Sequence, residues 1–305
     1  MIRWQNRRRP RPTINLHTNV LNYGRTDLYG HLLGMFAELH VLDALDITPS
    51  QLLDFLIDVD TTYLSAPYHS FYHAVDIVTM LYYMLVELEA ERYLSSLDIA
   101  ALLLAALCHD AGHPGYNNLY QVNFKTDLAS RYSNTSVLES YSVDITRDLL
   151  HRHKLLKNLG TGPKKNRTKN QPSHLDEGDA SGEVSQDGNR KNNGGLLNDT
   201  HRQSLSRILL HAADISNTVR PWPISKQWSD LIVQEFFRQG DAEKAAGLEV
   251  SPGMDRDQST QPNISLKFGD LLVQPYFQAL AAFLPSARVF LDTLAENRCE
   301  WERLK

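Results

Sequence analysis

Apolar residues recur along most of the chain at spacings of three and four. Over 28–60, Leu32, Leu33, Phe36 and Leu39, and then Leu52, Leu53 and Leu56, fall where single helix faces would carry them. Pro49-Ser50 reads as a helix start. Residues 70–92 continue the pattern with Ile77, Met80, Leu81, Met84 and Leu85. Leu97 to His109 is mostly apolar and runs into His-Asp-Ala-Gly-His-Pro-Gly, where Gly112, Pro114 and Gly115 must break the helix. Further helices are predicted over 136–156, 203–213 and 225–240, with one or two more over 268–305. Alternating strand patterns with turn dipeptides are scarce. The predicted fold class is all-α.

One stretch breaks the pattern. From Lys157 to Thr200 the chain is Asn, Gly, Lys, Asp and Ser, with almost no large apolar residue. Such a segment buries too little surface to offset its ordering entropy. It is expected to be a disordered insertion at 157–200 within one helical domain, 28–305, preceded by a basic tail and lead-in, 1–27.

Composition narrows the chemistry. A chain of 305 residues that is 42% hydrophobic can bury a real core. Only 2 Cys stand against 12 His and 36 Asp plus Glu. That excludes a disulfide scaffold and a cysteine-rich zinc module, and it points to a reducing, cytoplasmic compartment. Any metal site must then be built from imidazole and carboxylate, the ligands of hydrolytic centres. The net charge of −5 argues against a nucleic-acid binder, and the basic run Arg7-Arg8-Arg9-Pro10-Arg11 reads as a solvated tail. No apolar run reaches the ~18 residues that span a membrane. Nothing in the sequence signals an oligomeric state.

Four places carry candidate chemistry. His69 and His73 are four apart, and on a helix they would share a face. His109-Asp110 ends an apolar helix, where an imidazole and a carboxylate are costly unless paired or bound to a cation. The glycines that follow let the backbone turn His113 back to the same spot. Asp214, in His211-Ala-Ala-Asp-Ile-Ser-Asn217, ends another apolar helix, where a cap or turn role is the alternative. Glu139 lies in Ser136-Val-Leu-Glu, and by itself it reads as a solvated residue. Together, His73, His109, Asp110 and Asp214 supply two imidazoles and two carboxylates, a set suited to a borderline metal, with Asp110 able to bridge to a second, harder ion. Two such ions sharing a hydroxide are a recurrent device for phosphoester hydrolysis.

These motifs resemble the catalytic domain of the class I cyclic nucleotide phosphodiesterases, members of the HD metal-hydrolase superfamily, with wording most like the fungal enzymes. The matching stretches are PYHSFYHAVD (67–76), LCHDAGHPGYNN (107–118), SVLE (136–139), HAADISN (211–217), WSDLIVQEFFRQGD (228–241) and GLEVSPGMDR (247–256). The resemblance covers about 60–156 and 201–305.

It implies that His73, His109, Asp110 and Asp214 ligate zinc and that Asp110 bridges to magnesium or manganese. A hydroxide shared by the two metals attacks phosphorus, and His69 is the general acid for the departing 3′-oxygen. It implies roles for His113 and Glu139 in holding the hydroxide and waters at the second metal. It places Asn217 on the pocket wall and makes Ile232 and Phe268 the jaws on the purine, although ordinary core packing also accounts for those two. The implied ligand is a small-molecule cyclic nucleotide, with cAMP ahead of cGMP.

The chain departs from the pattern twice. The family places a glutamine three residues before the clamp phenylalanine, where this chain has Ser265, whose single hydroxyl replaces a two-point amide contact. Gln261 substitutes only if the loop shifts. A Thr-Asp-Met segment at the pocket rim has no counterpart between 157 and 203. These departures leave two other readings open: an HD-type hydrolase for another phosphoester, and a degenerate cyclic-nucleotide-binding protein.

Overall fold

The computed structural model describes residues 14–159 and 197–305. Most of the polar insertion, 160–196, lies outside the described residues, as does the basic run. No strand occurs among the described residues, so the predicted all-α class holds.

The chain builds α1 (Arg25–Glu38), α2 (Val41–Leu45), α3 (Pro49–Thr62), α4 (Phe71–Val86), α5 (Ser96–Cys108), α6 (Asn118–Asn123), α7 (Asp127–Arg131) and α8 (Val137–Arg152). After the insertion come α9 (Asp199–Asp214), α10 (Trp222–Ala245), α11 (Gln261–Phe268), α12 (Gln274–Phe283) and α13 (Arg288–Leu304). Pro49 does open a helix: Thr48 and Gln51 form a capping box, with Pro49 at the first position. A second capping box, Ser95 with Asp98, starts the apolar α5. Asn198 caps α9, which begins four residues earlier than the predicted 203. The range 268–305 holds two α-helices, α12 and α13, as expected; α11, which precedes it and is separated from α12 by a π turn at Gly269–Val273, was not anticipated.

α4 is the central element. Thirteen of its sixteen residues are buried, as expected of a helix that is apolar nearly all round. It packs on α5 and α9, so residues from both sides of the insertion share one hydrophobic core. The lead-in also joins that core through Ile14, Leu16 and Val20. It is tied there by Arg220, which is fully buried. Its guanidinium donates to the Leu16 carbonyl at 3.0 Å, to the Thr18 carbonyl, and to Asp76 Oδ1 of α4 at 2.8 Å. A buried ion pair of this kind stands only because further hydrogen bonds satisfy it.

This packing brings the ends of α5 and α9 beside the start of α4. No helix among the described residues is long and apolar enough to cross a membrane.

Candidate active site

The apolar helix α5 and the amphipathic helix α9 each deliver their last polar residues to one point on the N-terminal half of α4. His73 Nε2 of α4 lies 3.1 Å from Asp214 Oδ1, which ends α9. His109 Nε2, just past α5, lies 3.7 Å from the same oxygen and 2.9 Å from Asp110 Oδ2. Donor atoms of His73, His109 and Asp214 all fall within 4.8 Å of one another.

The donor set fits a divalent cation. His109 Nδ1 is 3.0 Å from the Ala106 carbonyl, an acceptor only, so Nδ1 carries a proton and Nε2 is the free ligand nitrogen. That Nε2 is buried and makes no aligned hydrogen bond. It faces two carboxylates, an arrangement that calls for a positive charge between them, whether a proton on Nε2 or, with Nε2 deprotonated, a bound cation. Ligand atoms at ~2.0–2.1 Å on a tetrahedral ion stand about 3.3 Å apart, close to the separations seen here. The same carboxylates govern the protonation of the cluster. Burial alone would lower the His109 imidazole, but Asp110 and Asp214 outweigh burial and hold it well above its usual range. Burial would raise Asp214, and its contacts with His109 and His73 hold it well below the carboxylate range.

His69 does not sit on α4 with His73. Ser70 caps that helix, and His69 precedes it in an irregular segment. The i, i+4 face argument therefore fails for this pair, although the two rings lie only 6.0 Å apart. What places His69 is Glu235 of α10, a residue the sequence reading did not single out. Glu235 Oε1 is 2.5 Å from His69 Nδ1, and its Oε2 accepts from the backbone amides of Tyr68 at 2.9 Å and His69 at 3.3 Å. Burial lowers the His69 pKa, yet Glu235, then Asp110, outweigh it and leave the imidazole raised.

A signal for Glu235 existed. Glu235, Gln239 and Glu243 fall on the same face of α10 as Trp228, all buried, where an amphipathic helix should carry apolar residues.

His69, His113 and Glu235 also bring donor atoms within 4.8 Å of one another. The 2.5 Å approach of His69 to Glu235 is too close for two ligands on one ion, so this trio is a hydrogen-bonded pair with a stacked neighbour. The His69 and His113 rings stack with centroids 3.9 Å apart. His113 Nδ1 accepts from the Gly115 amide at 3.0 Å, which leaves Nε2 as its donor. Burial and the charge of His69 push His113 down to about 4, so it is a neutral imidazole. The turn that aims it needs glycine. Gly112 and Gly115 have φ of +79° and +75°, and a Cβ at Gly115 would collide with the Arg238 guanidinium. Arg238 in turn donates to the Pro114 and Gly115 carbonyls at 3.2 and 2.9 Å.

Two cavities meet at His69. The smaller, about 240 Å³, is lined by Asp110, His113, Glu139 and Glu235 among others. Glu139 is exposed, and Asn118 Nδ2 donates to both its carboxylate oxygens at 3.0 Å. The larger, about 460 Å³, runs from Asp214 past Asn217, Ile232 and Phe268 to Ser265. The Asn217 amide donates to the Tyr68 hydroxyl. The cavity also reaches Asn297 of α13, whose Nδ2 donates to the Thr218 and Arg220 carbonyls at 2.8 and 2.7 Å. Gln261 does not replace the missing glutamine. Its side chain binds Ser229 and Asp230, and it is not among the residues that line the cavity.

Every sequence-predicted site residue therefore borders the His/Asp cluster or one of the two cavities joined to it. Fold and site define a helical protein with a histidine–carboxylate centre at the junction of a polar and an apolar cavity. Residues 68–294 match the family model for 3′,5′-cyclic nucleotide phosphodiesterases, and the chain belongs to that family. It is 31% identical over 300 residues to the 3′,5′-cyclic-nucleotide phosphodiesterase regA of Dictyostelium discoideum, covering 93% of this chain and 37% of that protein. It is 32% identical to the human high affinity cGMP-specific 3′,5′-cyclic phosphodiesterase 9A, covering 89% of this chain and 47% of that one. It is 30% identical to the mouse 3′,5′-cyclic-AMP phosphodiesterase 4C, covering 91% and 43%. The chain thus spans between a third and a half of the length of these relatives. The crystal structure of the phosphodiesterase domain of the RhoPDE fusion protein from the choanoflagellate Salpingoeca rosetta superposes with a TM-score of 0.76 at 25% identity, covering 95% of this chain and 94% of that one. The family implies dependence on divalent metal, in keeping with the donor set.

Proposed function

We propose that this chain hydrolyses 3′,5′-cyclic nucleotides to nucleoside 5′-monophosphates, with cAMP ahead of cGMP by a small margin. The observation that carries the reading is the convergence of His73, His109 and Asp214 beside the His69–Glu235 pair, at the mouth of a cavity wide enough for a nucleoside. His73, His109, Asp110 and Asp214 would hold zinc, and Asp110 would also serve a second ion, magnesium or manganese. When bound, the ions supply an activated water and offset the charge of the phosphate.

The remaining work falls to the side chains. His69, held protonated on Nδ1 by Glu235, presents Nε2–H to the departing 3′-oxygen. Proton donation matters there because an alkoxide is a poor leaving group. Neutral His113 offers only Nε2–H, and it orders water beside Asp110. Glu139, fixed by Asn118, holds water at the rim of the same cavity. Asn217, Ile232, Phe268 and Ser265 surround the nucleoside, with Ile232 and Phe268 against the two faces of the base.

The order of the two bases follows the fungal wording of the motifs, and relatives named for each cyclic nucleotide match at similar identity. The unit that works is one helical catalytic domain, 28–305 together with the lead-in from Ile14 that packs into its core, in a reducing, cytoplasmic setting. Cys108 and Cys299 are both unpaired, and burial pushes the Cys108 thiol up to about 12.

The test is direct. Protein loaded with zinc and magnesium should convert micromolar cAMP and cGMP to AMP and GMP, followed by chromatography. Survival of both substrates at micromolar enzyme would sink the proposal. Phosphate release from other nucleotides alone would favour the alternative hydrolase.

A further inference from the structure

The face of α10 that carries Glu235 continues with two more buried polar side chains, Gln239 and Glu243. The Glu243 carboxylate accepts from three donors. Its Oε2 takes the Ser251 amide at 2.6 Å, and its Oε1 takes the Ser251 hydroxyl at 2.8 Å and Gln239 Nε2 at 2.9 Å. A buried carboxylate without such partners would be costly. Gly240 makes the arrangement possible, because a Cβ there would collide with the Met254 carbonyl. The loop that brings Ser251 to Glu243 packs directly on the α10 backbone.

These contacts fix the polarity of Gln239. Glu243 takes the amino end of the amide, so the carbonyl end points away from it. Gln239 Oε1 accepts from the Asn117 backbone amide at 2.9 Å, and Nε2 donates to Asn117 Oδ1 at 2.9 Å. One side chain of α10 thus grips both the backbone and the side chain of Asn117. Asn117 in turn caps α6 through the Tyr120 amide. The next residue, Asn118, reaches across to α8. Its Oδ1 accepts from the Leu138 amide at 3.0 Å, and its Nδ2 donates to both Glu139 oxygens. Ser136 gives α8 no side-chain cap, so Asn118 supplies one from outside. A line of contacts therefore runs from Glu243 through Gln239 and Asn117 to Asn118 and Glu139. The last four of these residues line the smaller cavity together with Asp110.

We infer that Gln239, oriented by Glu243, is a positioning residue for the hydrolysis. It sets the Asn117–Asn118 turn, and through Asn118 it holds the Glu139 carboxylate at the cavity that would take the second ion. This inference rests on the phosphodiesterase reading and adds the residues that shape its second metal site.

The test titrates Mn²⁺ into zinc-loaded protein without substrate, followed by electron paramagnetic resonance. It compares wild type, Gln239→Met, Asn118→Ala and the double variant, with bound zinc and cAMP turnover measured in parallel. Methionine keeps the length and bulk of Gln239, and Ser251 still satisfies Glu243. Each single variant should weaken Mn²⁺ binding by about tenfold or more and leave zinc content unchanged. The double variant should match Asn118→Ala within about twofold, because Gln239 acts through Asn118. Added Mn²⁺ should restore part of the lost kcat, a rescue that a merely structural defect would not show. If Gln239→Met does not fold, Glu243→Gln, which turns an amino group on the Gln239 amide, takes its place with the same expectations. Unchanged Mn²⁺ affinity in the single variants overturns the inference, and so does a double variant in which the two losses multiply. A wild type that binds no Mn²⁺ beside its zinc overturns it as well. Any of these results alongside measurable turnover leaves the phosphodiesterase reading standing. A wild type that turns over neither cAMP nor cGMP, with Mn²⁺ affinity still falling in the variants, would instead refute hydrolysis and keep Gln239 as a metal-site positioning residue.

Discussion

Glu235→Gln isolates the charge behind the proposed general acid. The two side chains are nearly isosteric, and Glu235 is only 3% exposed, so solvent does not substitute for what is lost. The glutamate accepts from His69 Nδ1 through one oxygen and from two backbone amides through the other. Glutamine has one acceptor oxygen, so one of these donors must face an NH2 group. Hydrogen bonds to charged groups contribute ~1.5–3 kcal/mol. At 1.36 kcal/mol per pH unit, removing the charge should lower the His69 pKa by about 1–2 units. The sign follows from the role. The acid must be protonated, so kcat falls as pH rises through the His69 pKa, which the native carboxylate keeps raised. The variant's alkaline limb should therefore move to lower pH, and kcat at pH values above the native limb should drop about ten- to a hundredfold. The assay is a pH profile of kcat from pH 5 to 10, with bound metal quantified at each end. An alkaline limb that stays in place in Glu235→Gln would refute the positioning role.

Other expectations follow from the same contacts. Asp110→Ala and Asp214→Ala should each abolish turnover and reduce bound metal by elemental analysis, whereas His69→Ala should cut turnover and spare the metal; equal metal loss in all three would contradict the separate role of His69. Asp76→Ala leaves the buried Arg220 guanidinium without its anion and should lower unfolding stability by ~3–5 kcal/mol in a urea titration. Gly115→Ala puts a side chain at φ +75° and against Arg238. It should cost about 2 kcal/mol or more, read as a melting temperature lower by ~4–8 °C, with slower turnover because the His113 turn shifts.

The long helices were legible because burial imposes their period. α3, α4, α5 and α8 lie where apolar spacing put them, and Gly112 and Gly115 break the chain where their positive φ requires it. The short helices α6 and α7 escaped, since Asn117 and Thr126 cap segments too brief to show a period. The π turn after Phe268 also left no compositional mark. In the site, His109, Asp110 and Asp214 stood out as polar residues ending apolar helices. Glu235 did not, because a carboxylate in an amphipathic helix reads as solvated unless its position on the Trp228 face is noticed. His69 was found through its neighbour His73, yet the spacing argument misplaced it, because the helix starts only at Phe71, two residues after His69. The Asn117–Gln239 pair joins residues 122 apart, a contact that only the fold creates.

The central claim is attack by water at phosphorus with departure of the 3′-oxygen, carried by the cluster of His73, His109, Asp110 and Asp214 with His69 as acid. Hydrolysis of cAMP in ¹⁸O-labelled water, followed by mass spectrometry of the product, tests it most directly. The account predicts 5′-AMP carrying one labelled oxygen on phosphate and an unlabelled 3′-hydroxyl. A 3′-monophosphate, a label on the ribose, or intact cAMP would contradict it.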